Sequence, residues 1–180
     1  MEDRRHKIEA LLLPHLDAAY NLARWLTRSA TEADDIVQDA MVRALKSFSG
    51  FRGNDAKPWL LTIVRNCFRT AVKRRAGAMT MSLDSMPDTD SAAMEAALAI
   101  AGSDPESIAS NMAQRRRLDG LMATMPPDFR EVLVLRELEE LSYREIADIT
   151  GVPMGTVMSR LARARALLKE RWFAAEKASL

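Results

Sequence analysis

Apolar side chains recur at three- and four-residue steps along the first part of the chain. Leu16, Ala19, Tyr20, Ala23 and Leu26 form one stripe, and Ile36, Val37, Ala40, Met41, Ala44 and Leu45 form a second between Thr31 and Lys46. That spacing returns side chains to one face of an α-helix. Thr31 with Asp34 three residues on predicts a capping box at the start of the second helix. A polar, glycine-bearing stretch from Ser47 to Lys57 predicts a loop, and Pro58 suits the first turn of a third helix. Trp59, Leu60, Ile63, Val64, Cys67, Phe68, Ala71 and Val72 fall on its buried side, with Arg65, Asn66, Arg69, Thr70 and Lys73 opposite.

The period lapses after Gly77. Residues 78–111 are rich in Ala, Ser, Met and Asp, and Pro87, Gly102 and Pro105 interrupt regular structure. They predict a linker, flexible or partly helical, with a short helix possible over Ala92–Ala101. Helical spacing then resumes. Leu118, Leu121, Met122 and Met125 mark the buried side of a helix over Met112–Met125, which Pro126-Pro127 ends. Asp128-x-x-Glu131 opens a helix running through Glu139, and Ser142-x-x-Glu145 is a capping box for a short helix ending at Thr150. Gly151 suits the left-handed residue past a helix end, and Pro153 the first turn of a last helix reaching about Ala174. The expected fold is all-α: two small helical domains, 10–77 and 112–175, joined by an acidic flexible linker, 78–111, with a helix-turn-helix in the second.

Charge sharpens this division. The net charge is only +1, yet six bases and no acid lie between Lys57 and Gly77, while six acids and no base lie between Ser82 and Asn111. Five bases against Glu170 alone then lie between Val152 and Trp172. Two basic segments are separated by an acidic one. The single cysteine, Cys67, forms no internal disulfide, and its helical position predicts a core residue rather than a redox sensor. There is no glycine-rich phosphate loop, and the histidines are only His6 and His15. No catalytic residue, metal site, cofactor, small-molecule substrate or membrane insertion is therefore expected, and the expected location is cytoplasmic.

Ser142 to Arg165 carries the clearest chemistry. A short capped helix, a turn containing glycine and a second helix with basic residues on one side describe a helix-turn-helix around Ile146, Ala147, Ile149, Val152, Val157 and Leu161. The second helix would offer Met154, Gly155, Thr156, Met158, Ser159, Arg160 and Arg163 to a major groove. Residues near its start would read base edges, and the arginines beyond would hold phosphates. A helical hairpin with a solvated basic face has the same spacing.

The segment ELSYREIADITGVPMGTVMSRLARARALLKE, with MPPDFREVLVLRELEELS leading into it, resembles domain four of the extracytoplasmic-function sigma factors. The resemblance implies that the second helix reads the minus-thirty-five element of a promoter. Positions 154 and 158 often carry charge in that family and are methionine here, which leaves open which bases are read. The segment ATEADDIVQDAMVRALKSF resembles the part of sigma domain two that binds the clamp helices of RNA polymerase, with Asp35, Gln38 and Asp39 on matching positions. Asp35 and Asp39, four apart, share a helix face that could pair with arginines; an acidic face kept for solubility has the same pattern.

FRGNDAKPWLLTIVRNCFRTAVKRR resembles the next part of domain two. The resemblance implies that the loop of Phe51, Arg52, Gly53, Asn54 and Asp55 captures a flipped base. It also implies that Arg65, Asn66, Arg69, Thr70, Lys73 and Arg74 face the minus-ten element. Trp59 and Phe68 sit at core spacing, so base capture would rest on polar and backbone groups, with Phe51 a lesser candidate. The implied partners are core RNA polymerase, promoter DNA and an anti-sigma factor, and the implied regulon one of stress or envelope response. In the family the linker threads towards basic polymerase channels, a path that six acids suit as well as they suit a solvated tether. Two rival readings remain at this point: a helix-turn-helix regulator acting without polymerase, and a sigma-like decoy that sequesters an anti-sigma factor.

Overall fold

A computed structural model describes residues 8–51, 55–79 and 105–177. Among them are seven principal helices and no strand: α1 (Leu16–Thr27), α2 (Ala30–Ser47), α3 (Ala56–Met79), α4 (Pro105–Ala123), α5 (Pro127–Leu133), α6 (Tyr143–Thr150) and α7 (Met154–Lys177). A 3-10 turn, Leu13–His15, leads into α1, and a π turn, Val134–Leu138, follows α5. The all-α expectation holds. The helix possible over Ala92–Ala101, and most of the linker with it, lies outside the described residues.

Local chemistry accounts for the ends, and several differ from expectation. Helix α2 starts at Ala30 rather than Thr31, because extended Ser29 caps it by accepting the Glu32 N–H at 3.4 Å. Helix α3 starts two residues before Pro58, with the Asp55 carboxylate accepting the Lys57 N–H at 2.9 Å. Helix α4 starts at Pro105, so the last seven residues assigned to the linker are helical. The helix expected through Glu139 widens into the π turn, where the Glu139 N–H reaches back to the Val134 carbonyl at 3.1 Å.

Helices α1, α2 and α3 pack as a bundle. Ala19, Ala23, Ala33, Ala40 and Ala44 are fully buried, and such short side chains let helix backbones approach closely around Leu22, Leu60, Leu61 and Val64. In the second domain Val132, Val134, Leu135, Ile146, Val157 and Leu161 fill the core. Two expected core residues are exposed. Val72 lines an open cleft between α2 and α3, and Leu118 lies on α4 ahead of Met122 and Met125, the residues that reach the core.

One buried cation organises the entry to the second domain. Arg130, 5% exposed, donates to the carbonyls of Met122 at 2.9 Å, Ala123 at 3.0 Å and Met125 at 2.9 Å. These lie at and just past the end of α4, where helical donors run out, though the Met122 carbonyl also accepts the Met125 N–H at 3.1 Å. It also donates to the Trp25 carbonyl on α1 at 3.1 Å, and α1 packs on α5 while α3 packs on α6, which joins the two domains in one hydrophobic cluster.

Candidate nucleic-acid and polymerase interface

The helix-turn-helix is built as its sequence predicts. Ser142 Oγ accepts the Glu145 N–H at 3.3 Å, and the Glu145 carboxylate accepts the Ser142 N–H at 2.7 Å. Gly151, at φ 68°, ends α6 in the left-handed region and donates to the Ala147 carbonyl at 2.8 Å. Ile146, Ile149, Val157 and Leu161 are buried between α6 and α7, with Ala147 and Val152 partly so. On the outward side of α7, Met154 and Met158 are each 51% exposed, alongside exposed Gly155, Ser159 and Arg163. Thr156 is partly buried, and the Ser159 hydroxyl donates to its carbonyl at 3.0 Å. Arg160 is held in place: it pairs with Asp128 at 2.6 Å.

On α2, Asp35 and Gln38 are exposed and make no hydrogen bond or ion pair among the described residues. Asp39 differs, since Arg43 grips it at 3.2 Å and 2.8 Å within the same helix. That hydrogen bond, opposed by partial burial, holds the Asp39 carboxyl below the usual carboxylate range. Asp35, Asp39 and Arg43 border a cleft of about 360 Å³ between α2 and α3, which Cys67 and Arg74 also line.

Cys67 is 1% exposed, in agreement with a core position. Burial first, and the Asp39 carboxylate second, push its thiol up to about 11 from 9.0. A shift of that size lowers the thiolate fraction about 100-fold at a given pH. Iodoacetamide should accordingly alkylate the folded chain far more slowly than the urea-unfolded chain at pH 8, followed by mass spectrometry. Equal rates would contradict a buried, protonated thiol.

The outward side of α3 presents Asn66, Arg69, Thr70, Lys73 and Arg74, all exposed, though the Thr70 hydroxyl donates to its own helix at Asn66 O, 2.8 Å away. Arg65 does not join them. It turns to the second domain and forms a two-point pair with Glu131. Phe51 is partly buried in an aromatic cluster, 5.7 Å from Phe48 and 4.9 Å from Trp59 between ring centroids. Arg52 and Asn54 lie outside the described residues. Sequence reasoning missed Glu131 and Glu139, which it took for helix-end residues, and Arg130, whose buried carbonyl partners leave no periodic signal.

Comparison with known proteins agrees with both halves. Residues 11–77 match the family Sigma-70 region 2, and residues 115–168 match Sigma-70, region 4. The ECF RNA polymerase sigma-E factor of Escherichia coli strain K12 is 32% identical over 155 residues, covering 81% of this chain and 78% of that protein. The chain belongs to the extracytoplasmic-function sigma factors of the sigma-70 family.

As a sigma factor it is a transcription initiation protein and not an enzyme. The region 2 match sets aside the rival in which an unrelated helical domain precedes a helix-turn-helix. ECF RNA polymerase sigma factor SigE of Mycolicibacterium smegmatis is 31% identical over 90% of this sigma factor, which spans 60% of that relative's length. Among solved structures, the sigma factor RpoE of Bartonella quintana, determined with the anti-sigma factor NepR, superposes with a TM-score of 0.71 at 26% identity. That comparison covers 96% of this chain and 98% of that one. CnrH, solved with the cytosolic domain of CnrY, shares the fold at a TM-score of 0.64 and 22% identity, over 94% and 90% of the two chains. No helix among the described residues is long and apolar enough to cross a membrane.

Proposed function

We propose that this sigma factor binds core RNA polymerase through the α2 face of Asp35, Gln38 and Asp39. Helix α3 reads and helps melt the minus-ten element through Asn66, Arg69, Thr70, Lys73 and Arg74, joined by Arg65 once it leaves Glu131, with Phe51, Arg52 and Asn54 in the loop before it. The minus-thirty-five element falls to Met154, Gly155, Thr156, Met158, Ser159, Arg160 and Arg163. The observation that carries this reading is the separation of charge over the surface: exposed carboxylate and amide on α2, exposed cations on α3 and α7. Cations suit phosphates, and carboxylates suit arginines of a protein partner. A factor that acts on promoters and polymerase works in the cytoplasm. An anti-sigma factor restrains it, a reading supported by the Bartonella quintana relative, which was solved with one.

Separation-of-function variants test the assignment. Arg69→Ala with Lys73→Ala should leave core polymerase affinity unchanged and reduce promoter opening, read by permanganate reactivity of unpaired thymines. It should also flatten the salt dependence of promoter binding by about 0.9 in log-log slope per lost phosphate contact. Loss of polymerase affinity in that variant would overturn the division of surfaces.

The two methionines of α7 carry a further expectation. A thioether donates no hydrogen bond, so exposed Met154 and Met158 suit the thymine methyl and cannot make the forked contact to guanine. Met158→Arg should shift the preferred base at one minus-thirty-five position towards guanine, by about tenfold in a selected promoter library. An unchanged preference would remove Met158 from the reading face.

A further inference from the structure

Two thioethers stand in the open on the outward side of α7. Met154 and Met158 are each 51% exposed, while Met122 and Met125 are 5% and 2% exposed and Met41 and Met112 are partly buried. Four residues apart, Met154 and Met158 share one face of the helix. Gly155 beside them carries no side chain, and a Cβ there would meet no atom within 4 Å, so nothing at that position covers either sulfur. The one thiol is the opposite case. Cys67 is 1% exposed, and burial pushes its thiol up to about 11, so little thiolate is present to meet an oxidant. A thioether needs no deprotonation to be oxidised.

We infer that Met154 and Met158 form a reversible oxidation site, at which a peroxide converts the thioethers to sulfoxides and so weakens engagement of the minus-thirty-five element. The inference rests on the reading of α7 as the helix that faces that element. The step balances with the peroxide as its co-reactant. A sulfur lone pair attacks one peroxide oxygen, and the S–O bond forms as the O–O bond breaks. The proton on the transferred oxygen passes to the departing hydroxide, giving water. Sulfur is oxidised by two electrons and the peroxide is reduced by two. The return reaction takes two thiols of a sulfoxide reductase, which end as a disulfide while the oxygen leaves as water.

The product's chemistry sets the effect. A thioether is apolar and packs on the thymine methyl, whereas a sulfoxide presents a polar oxygen that only accepts hydrogen bonds. Phosphate oxygens, guanine O6 and N7 and thymine O4 also only accept, so the new oxygens would face groups of their own kind. The donors of the major groove are the amino groups of adenine and cytosine, towards which the preference of the oxidised helix should turn. Polymerase binding falls to carboxylate and amide groups on α2, which a peroxide leaves untouched. The oxidised sigma factor therefore still occupies polymerase but directs it less well to minus-thirty-five elements.

The test uses the full chain with sigma-free core polymerase and a duplex carrying the minus-thirty-five element that its transcript starts reveal. Limited hydrogen peroxide should oxidise Met154 and Met158 ahead of Met122 and Met125, read by peptide mass spectrometry. The affinity of the resulting holoenzyme for that duplex should fall about tenfold while core affinity holds, and methionine sulfoxide reductase with a thiol should restore it. Met154→Leu with Met158→Leu, compared with itself before and after peroxide, should show no such fall, although the chain's other methionines are still present. Unchanged affinity after complete oxidation of both residues would overturn the oxidation site. So would a fall that persists in the leucine pair, a fall that the reductase does not reverse, or oxidation of Met122 and Met125 first. Bound duplex should also shield both sulfurs from peroxide, and failure of that shielding would instead sink the reading of α7.

Discussion

Replacing Arg130 with alanine is expected to cost the folded chain on the order of 3 kcal/mol, through the loss of charge-assisted hydrogen bonds inside the protein. The guanidinium donates to four carbonyls, three of them at the end of α4 and one on α1. Alanine would remove all four donations at once, leaving the Met122 carbonyl its bond from the Met125 N–H and the other three carbonyls without the donor that Arg130 supplies. The positive charge also opposes the negative end of the α4 dipole. Burial, joined by the nearby charge of Arg28, lowers the Arg130 pKa, yet an arginine stays protonated across physiological pH. A domain set of this size loses about 2–4 °C per kcal/mol, so the melting midpoint should fall by about 6 °C or more. Arg130→Lys should fall between, because a single ammonium cannot fork to acceptors in several directions. Thermal denaturation followed by circular dichroism decides it, and an unchanged midpoint would show that Arg130 does not hold α4 and α5 together.

The second large effect is expected on polymerase binding. Reversing charge with Asp35→Arg should weaken core polymerase affinity by about 100-fold, since like charges facing each other across an interface cost several kcal/mol. Asp35 is exposed and has no internal partner among the described residues, so its whole charge is available to a partner. Asp39 is different. It is already neutralised in part by Arg43, and Asp39→Ala would free that cation on the same face. A larger loss is therefore expected from Asp35→Arg than from Asp39→Ala, measured by fluorescence anisotropy against sigma-free core. Helix content should hold in both, because neither side chain is buried. Full polymerase affinity in Asp35→Arg would relocate the polymerase-binding face.

What could be read from sequence follows from how local each cause is. Ser142, Glu145 and Gly151 act within one turn of their own backbone, so the helix-turn-helix was legible residue by residue. The start of α2 was misplaced because Ser29-x-x-Glu32 and Thr31-x-x-Asp34 offer nearly the same signal, and the extended backbone at Ser29 decides between them. Val72 and Leu118 follow the apolar period correctly, but a period cannot say where the neighbouring helices stop. The site shows the same limit more sharply. Exposure of Asp35, Gln38, Arg69 and Lys73 agrees with a reading of helix faces. The diversion of Arg65 to a partner sixty-six positions away does not, because nothing local to either residue announces it. Arg160 likewise pairs with Asp128 across α5 and α7.

Initiation in a purified system decides whether the chain works as a sigma factor. The purified chain would be added to sigma-free bacterial core polymerase with fragmented DNA of its host, and the 5′ ends of the transcripts sequenced. Starts are expected at a small set of sites that share two spaced elements, lost with Asp35→Arg and weakened with Arg163→Ala. Polymerase that gains no start sites, while the chain binds it tightly, would contradict promoter recognition and bring the decoy reading forward. A chain that binds DNA but ignores polymerase would contradict the assignment of α2 and α3.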